Sequence, residues 1–125
     1  MTPKYPIKLV GHLTWLYPGE QRFDRFKVQR ALFRSPDEFV IDCDCGAPQH
    51  SYVYTMKLSR VGPDQFSGTF SVCHTTDPTS GTVSFRVYRR DGGIALSGNW
   101  IEKGYHDEIL GELTVVDRFP DERSD

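Results

Sequence analysis

The chain has 125 residues, of which 38% are apolar and 26% charged, with 15 Lys and Arg against 17 Asp and Glu. That length supports one core rather than two joined by a linker, and that balance excludes both a disordered chain and a polyelectrolyte tail. A net charge of -2 gives no whole-molecule attraction to phosphate polymers or anionic lipid, so nucleic acid is not expected as a partner.

Runs rich in β-branched and aromatic residues recur every dozen residues or so between turn signals, the rhythm of an all-β chain. The first, Ile7 to Tyr17, closes at Pro18-Gly19. The second, Phe23 to Arg34, stops at Ser35-Pro36-Asp37-Glu38, which fits a type I turn with proline in its second place. A helix over Glu20 to Arg34 is the competing reading, and it would make the domain α+β. Phe39 to Cys45 and Ser51 to Val61 follow, the latter ending at Gly62-Pro63-Asp64. Gln65 to His74 leads into the loop-like Thr75 to Gly81. Thr82 to Arg90 then turns through Asp91-Gly92-Gly93 into Ile94 to Glu102, and Asp-Gly between alternating runs predicts a type I′ hairpin. The last run starts at His106 or Glu108 and ends at Val116. Residues 1–5 and 117–125 are expected to fray. Every connection reads as a hairpin, so the expectation is a single domain of about eight antiparallel strands in an up-and-down meander, closed into a small barrel because closure removes both sheet edges.

Strand side chains alternate, and the more apolar face of each run is assigned to the interior. This places Leu9, Leu13 and Trp15 inside from the first run and Phe26, Val28 and Leu32 from the second. Phe39, Ile41, Cys43, Tyr52, Tyr54, Met56, Phe66, Phe70, Phe85, Trp100, Ile109, Leu113 and Val115 join them, whereas Lys8, Lys57, Arg86, Glu102 and Glu112 are assigned outside. Gly11, Gly68, Gly98 and Gly111 share the inward parity. They serve either sharp coiling of the strands or space for a ligand.

Polar groups on the inward face are the candidate ligand contacts. Arg30 has inward parity, and a buried guanidinium would need a carboxylate, an aromatic lid or an anionic ligand; a bulge or a helix in the second run would instead leave it in solvent. His74 stands at a strand end, either at a barrel mouth or solvated in the loop. Tyr52 and Tyr54 bring hydroxyls to an interior whose aromatic walls include Trp15 and Trp100. The many bulky inward residues confine any pocket to a small space or to one mouth.

No sequence feature specifies catalysis. Cys43-Asp44-Cys45, His50 and Cys73-His74 resemble a zinc ligand set by composition, but Cys73 has the wrong parity and no second Cys-x-x-Cys is present, so no metal is expected. Phosphate loops and nucleophile elbows are absent, and no cofactor is expected. Arg22, Arg25, Lys27, Arg30 and Arg34 interleave with phenylalanines, yet Glu20, Asp24, Asp37 and Glu38 among them make a solubilising face the simpler reading. No run reaches the about 18 apolar residues that span a bilayer as a helix. The N-terminal residues lack a signal-like apolar stretch and the three cysteines cannot all pair, so a cytoplasmic location is expected.

Phe66-Ser67-Gly68-Thr69-Phe70, Gly81-Thr82-Val83-Ser84-Phe85, Leu96-Ser97-Gly98-Asn99-Trp100 and Gly111-Glu112-Leu113 resemble the later strands of calycin-type barrels, the lipocalin and avidin-like group. The first run shows Gly11-His12-Leu13-Thr14-Trp15 where that group has Gly-x-Trp, and no tryptophan set of the kind that encloses biotin is evident. The resemblance therefore implies an architecture and a binding role but no ligand. The expectation is a non-enzymatic barrel holding a small, partly apolar molecule through Arg30, Tyr52, Tyr54, His74, Trp100 and Trp15. Two alternatives stand beside it. One is a packed barrel that docks a partner, or a second copy of itself, on Val10, Leu16, Leu110 and Val116; the other is a small-barrel lyase or isomerase using His74.

Overall fold

A computed structural model describes residues 4–17, 19–44, 53–73, 80–102 and 104–120. Eight strands follow one another: β1 (Ile7–Tyr17), β2 (Arg22–Ser35), β3 (Glu38–Asp44), β4 (Val53–Gly62), β5 (Gln65–Cys73), β6 (Ser80–Arg90), β7 (Gly93–Glu102) and β8 (Tyr105–Val116). Each pairs antiparallel with the next, and β8 pairs with β1, giving a closed barrel in strict meander order. Closure leaves no ladder edge unpaired, which an open sheet of this size could not achieve. The helical reading of Glu20 to Arg34 is excluded, because β2 runs in the sheet between β1 and β3.

One irregularity in β2 decides where its side chains go. Val28 pairs with Cys43 and Arg30 with Asp42, so Gln29 is an extra residue opposite a single step of β3; the pairing with β1 shifts at the same place. Such a bulge reverses the alternation beyond it. Ala31 and Phe33 therefore enter the core, while Leu32 is half-buried on the other face and Arg30 stands exposed outside the barrel, correcting both inward assignments. The Arg30 guanidinium lies 4.6 Å from the centre of the Phe119 ring, which Lys8 covers from 5.4 Å. Phe119 is itself buried.

The interior is stacked in layers. At one end Phe33 and Phe39 lie parallel with centroids 4.0 Å apart, and Phe66 meets each edge-on. Leu9, Leu13, Val28, Ile41, Met56, Leu96, Ile109 and Leu113 fill the middle, all essentially inaccessible to solvent. Val115, assigned inward, is 45% exposed although it pairs with the buried Leu9. Glycines allow the strands to crowd: a Cβ at Gly68 would run into the Lys57 carbonyl oxygen, and one at Gly98 into that of Ser84. At these two positions close strand approach accounts for the glycine.

The phenylalanine end is stitched shut by its turns. The carbonyls of Asp37, Asp64 and Gly92 accept hydrogen bonds from the amides of Arg60, Val87 and Val115, each on the strand beyond the hairpin. Arg60 and Arg89 then pair with the Asp37 and Asp64 carboxylates at 2.8 and 3.1 Å. The ion pairs are exposed and add little; the backbone bonds hold the turns against the barrel. In the β6–β7 connection Gly92 alone has positive φ, 78°, so the turn is not the type I′ expected from Asp91-Gly92.

Candidate functional site

At the opposite end the inward parity continues past the core into aromatic and then charged residues. Trp15 on β1, Phe26 on β2, Tyr54 on β4, Phe70 on β5 and Trp100 on β7 form one aromatic layer. The Trp15 centroid lies 5.0 Å from Phe26, 5.3 Å from Trp100 and 6.0 Å from Tyr54, and Tyr54 meets Trp100 edge-on at 5.4 Å. Phe70 stacks on Trp100 at 3.4 Å and covers one of its faces. Offset and edge-on pairs of this kind suit the ring quadrupoles and fix the layer rigidly.

Two residues farther along the same strands come the rim groups. Tyr17 follows Trp15, Glu102 follows Trp100, and Asp24 and Asp107 precede Phe26 and Ile109 by the same step of two. Asp107 pairs across the ladder with Trp100, and Asp24 with Trp15. Glu102 was assigned outside; it is half-buried on the inward face, where its Oε2 accepts the Trp100 Nε1–H bond at 3.0 Å. Above the aromatic layer a cavity of about 790 Å³ opens, bordered by Trp15, Tyr17, Phe26, Tyr54, Trp100, Glu102, Tyr105 and Asp107 with the exposed Glu20 and Arg22. Small-molecule pockets usually fall between about 300 and 1,000 Å³.

Of the six residues chosen from sequence, Trp15, Tyr54 and Trp100 meet at this mouth. Arg30 does not, having been turned outward by the bulge. Tyr52 and His74 lie outside the described residues, as do Cys45 and His50 of the cysteine and histidine set. Cys43 is buried and forms no disulfide, and among the described residues no three His, Cys, Asp or Glu gather as metal ligands. Tyr17, Asp24 and Asp107 carry the inward parity of Trp15, Phe26 and Ile109 two positions further, where an assignment by apolar character stops. Continuing each run by two positions would have found them.

The rim is electrostatically loaded. Burial, then the charge and hydrogen bond of Asp24, push the Tyr17 phenol up to about 12, so it is a proton donor throughout the neutral range. The Asp107 carboxyl is raised above the ordinary aspartate value, by burial first and then by the negative charges of Glu102 and Glu20, with His106 opposing. Arg22 is spent on its neighbours: its guanidinium contacts Glu20 at 2.8 Å and Asp24 at 3.3 Å and lies 4.6 Å over the Tyr17 ring. No Lys or Arg among the described residues forms an ion pair with Glu102 or Asp107.

A folded-state pKa above the unfolded one means that the folded chain holds the Asp107 proton more tightly. Stability from this group is therefore full below the ordinary aspartate pKa and is lost as pH rises through the raised one. Asp107→Asn should raise Tm modestly at pH 7, since solvent screens this half-exposed site, and the two proteins should converge near pH 3. Thermal melts at both pH values check the sign.

Comparison with protein-family models and with curated proteins finds no match to this chain.

Proposed function

We propose that this protein is a non-enzymatic barrel that holds a small, partly apolar molecule at one mouth. The observation that carries the reading is the aromatic layer of Trp15, Phe26, Tyr54 and Trp100 beneath a cavity of about 790 Å³, at the end opposite the stitched turns. An apolar floor with a few polar groups around it is the usual build of a ligand pocket, the floor supplying burial and the rim orientation. Such a mouth suits the binding role implied by the resemblance to lipocalin and avidin-like barrels, whose kinship with this chain is part of the proposal.

Native mass spectrometry of gently purified protein, beside its denatured mass, tests the reading. A reproducible non-covalent increment, abolished by Tyr54→Ala together with Phe26→Ala, is the expected result. A bare mass, with no change in tryptophan fluorescence across a library of amines, acids and neutral aromatics, would overturn it.

One observation favours a second reading. Val61, Tyr88 and Leu110 are 66%, 52% and 45% exposed and border a trough of about 490 Å³ on the outer wall, floored by Ser67, Ser84 and Ser97. An exposed apolar rim of this kind is a docking feature, and a dimer peak in the same spectrum, lost on Tyr88→Ser, would support it.

A further inference from the structure

The chemistry of the mouth narrows the ligand class. Aromatic side chains border the cavity on several strands, and an aromatic ring can attract a cation over its face as well as pack against an apolar body. Tyr54 and Phe26 are half-buried and Tyr105 is 71% exposed, so they offer the contact surface, while Trp15 and Trp100, each 3% exposed, form the floor. Glu102 and Asp107 both carry inward parity on adjacent strands, with Asp107 directly opposite Trp100 in the ladder. Acid groups beside an aromatic floor complement a positive charge on a molecule that also buries hydrocarbon.

The mouth already holds one cation in this manner. Arg22 lies over the Tyr17 ring while its nitrogens contact Glu20 and Asp24, so the β1–β2 side of the rim combines an aromatic face with two carboxylates around a guanidinium. The β7–β8 side repeats the ingredients, with Tyr105 and Trp100 as aromatics and Glu102 and Asp107 as carboxylates. There no Lys or Arg among the described residues pairs with the carboxylates, and His106, which borders the cavity and opposes the Asp107 shift, hydrogen-bonds Asn99 instead.

We propose that the mouth selects organic cations, a protonated or quaternary amine whose apolar body rests against Phe26 and Tyr54 and whose charge sits beside Glu102 and Asp107. The inference rests on the binding role proposed above and adds to it the sign of the ligand's charge. The burial of Asp107 and its repulsion from Glu102 act in the same direction, because a bound cation relieves both carboxylates.

Three probes with one ring and three charges separate the two proposals: benzyltrimethylammonium, benzyl alcohol and benzoate, titrated against the full chain by calorimetry and by tryptophan fluorescence. The expected result is binding of the cation about tenfold or more tighter than the alcohol, with benzoate weakest. Added salt should weaken the cation alone. Glu102→Gln with Asp107→Asn should bring cation and alcohol to within about twofold, with circular dichroism confirming the fold of the variant. Equal binding of all three probes, or tightest binding of benzoate, would overturn the charge inference and leave the binding role standing. Absence of any response would count against the binding role itself, and the charge inference would fall with it.

Discussion

Gly98→Ala should destabilise the barrel by about 3 kcal/mol or more, the upper end of what overpacking costs, because the obstacle is backbone and not a side chain that can turn away. The added methyl would run into the Ser84 carbonyl oxygen and stand 2.8 Å from Phe85 Cδ1. Ser84 and Phe85 are fixed in the β6–β7 ladder opposite Asn99 and Gly98, so relief requires the two strands to part. Parting them disturbs Phe85 in the core and Trp100 in the aromatic layer together. A midpoint roughly 10 °C or more below that of the natural chain is expected by calorimetry, at about 4 °C per kcal/mol for a domain of this size. Gly19→Ala is the control: nothing lies within 4 Å of its added carbon, and a change within about 0.5 kcal/mol is expected. Gly111→Ala should fall between, since the nearest atoms are side-chain carbons of Leu13 and Leu96 rather than backbone.

These glycines also show why the architecture was legible. Turn residues and alternation, which local sequence carries, were enough to place eight strands, because in a meander every pairing partner is the neighbour in sequence. The β1–β8 pairing that closes the barrel has no such local signal and followed only from the need to satisfy two edges. What alternation cannot supply is a change of phase. Gln29 bears no mark of a bulge, yet its insertion moves Leu32 and Arg30 to the outer wall and Phe33 to the core. Arg30 was thereby chosen for a site it does not reach. Its polar character was read as a ligand contact, whereas its environment is the outer face beside Phe119. The opposite error occurred at the mouth. Glu102 was placed outside because it is charged, although its parity from Trp100 put it inside. At a barrel end the interior meets water, and parity is the better guide there than polarity. The Pro-Asp pairs at Pro36-Asp37 and Pro63-Asp64 were read as turns; that each turn also grips the strand beyond its hairpin needed the three-dimensional register.

Trp100 carries the second large expected effect, since it joins the core to the mouth. Trp100→Ala should cost about 3–5 kcal/mol, the usual range for deleting a buried aromatic, because Phe70 loses the ring stacked on it and Trp15 and Tyr54 lose an edge-on partner. The gap would lie directly beneath the cavity, where water can enter, so the near-ultraviolet circular dichroism of Trp15 should collapse along with stability. Trp100→Phe separates packing from hydrogen bonding. A phenyl ring can still stack on Phe70, but the indole N–H that Glu102 Oε2 accepts at 3.0 Å is gone. Glu102 is half-buried, so losing that donor should cost about 1–2 kcal/mol, less than the alanine variant. Urea unfolding of both variants beside the natural chain at pH 7 measures the two effects. A Trp100→Phe deficit near zero would leave Glu102 without a structural need for the indole, whereas a deficit of the expected size ties the charged rim to the aromatic layer below it through the 3.0 Å bond.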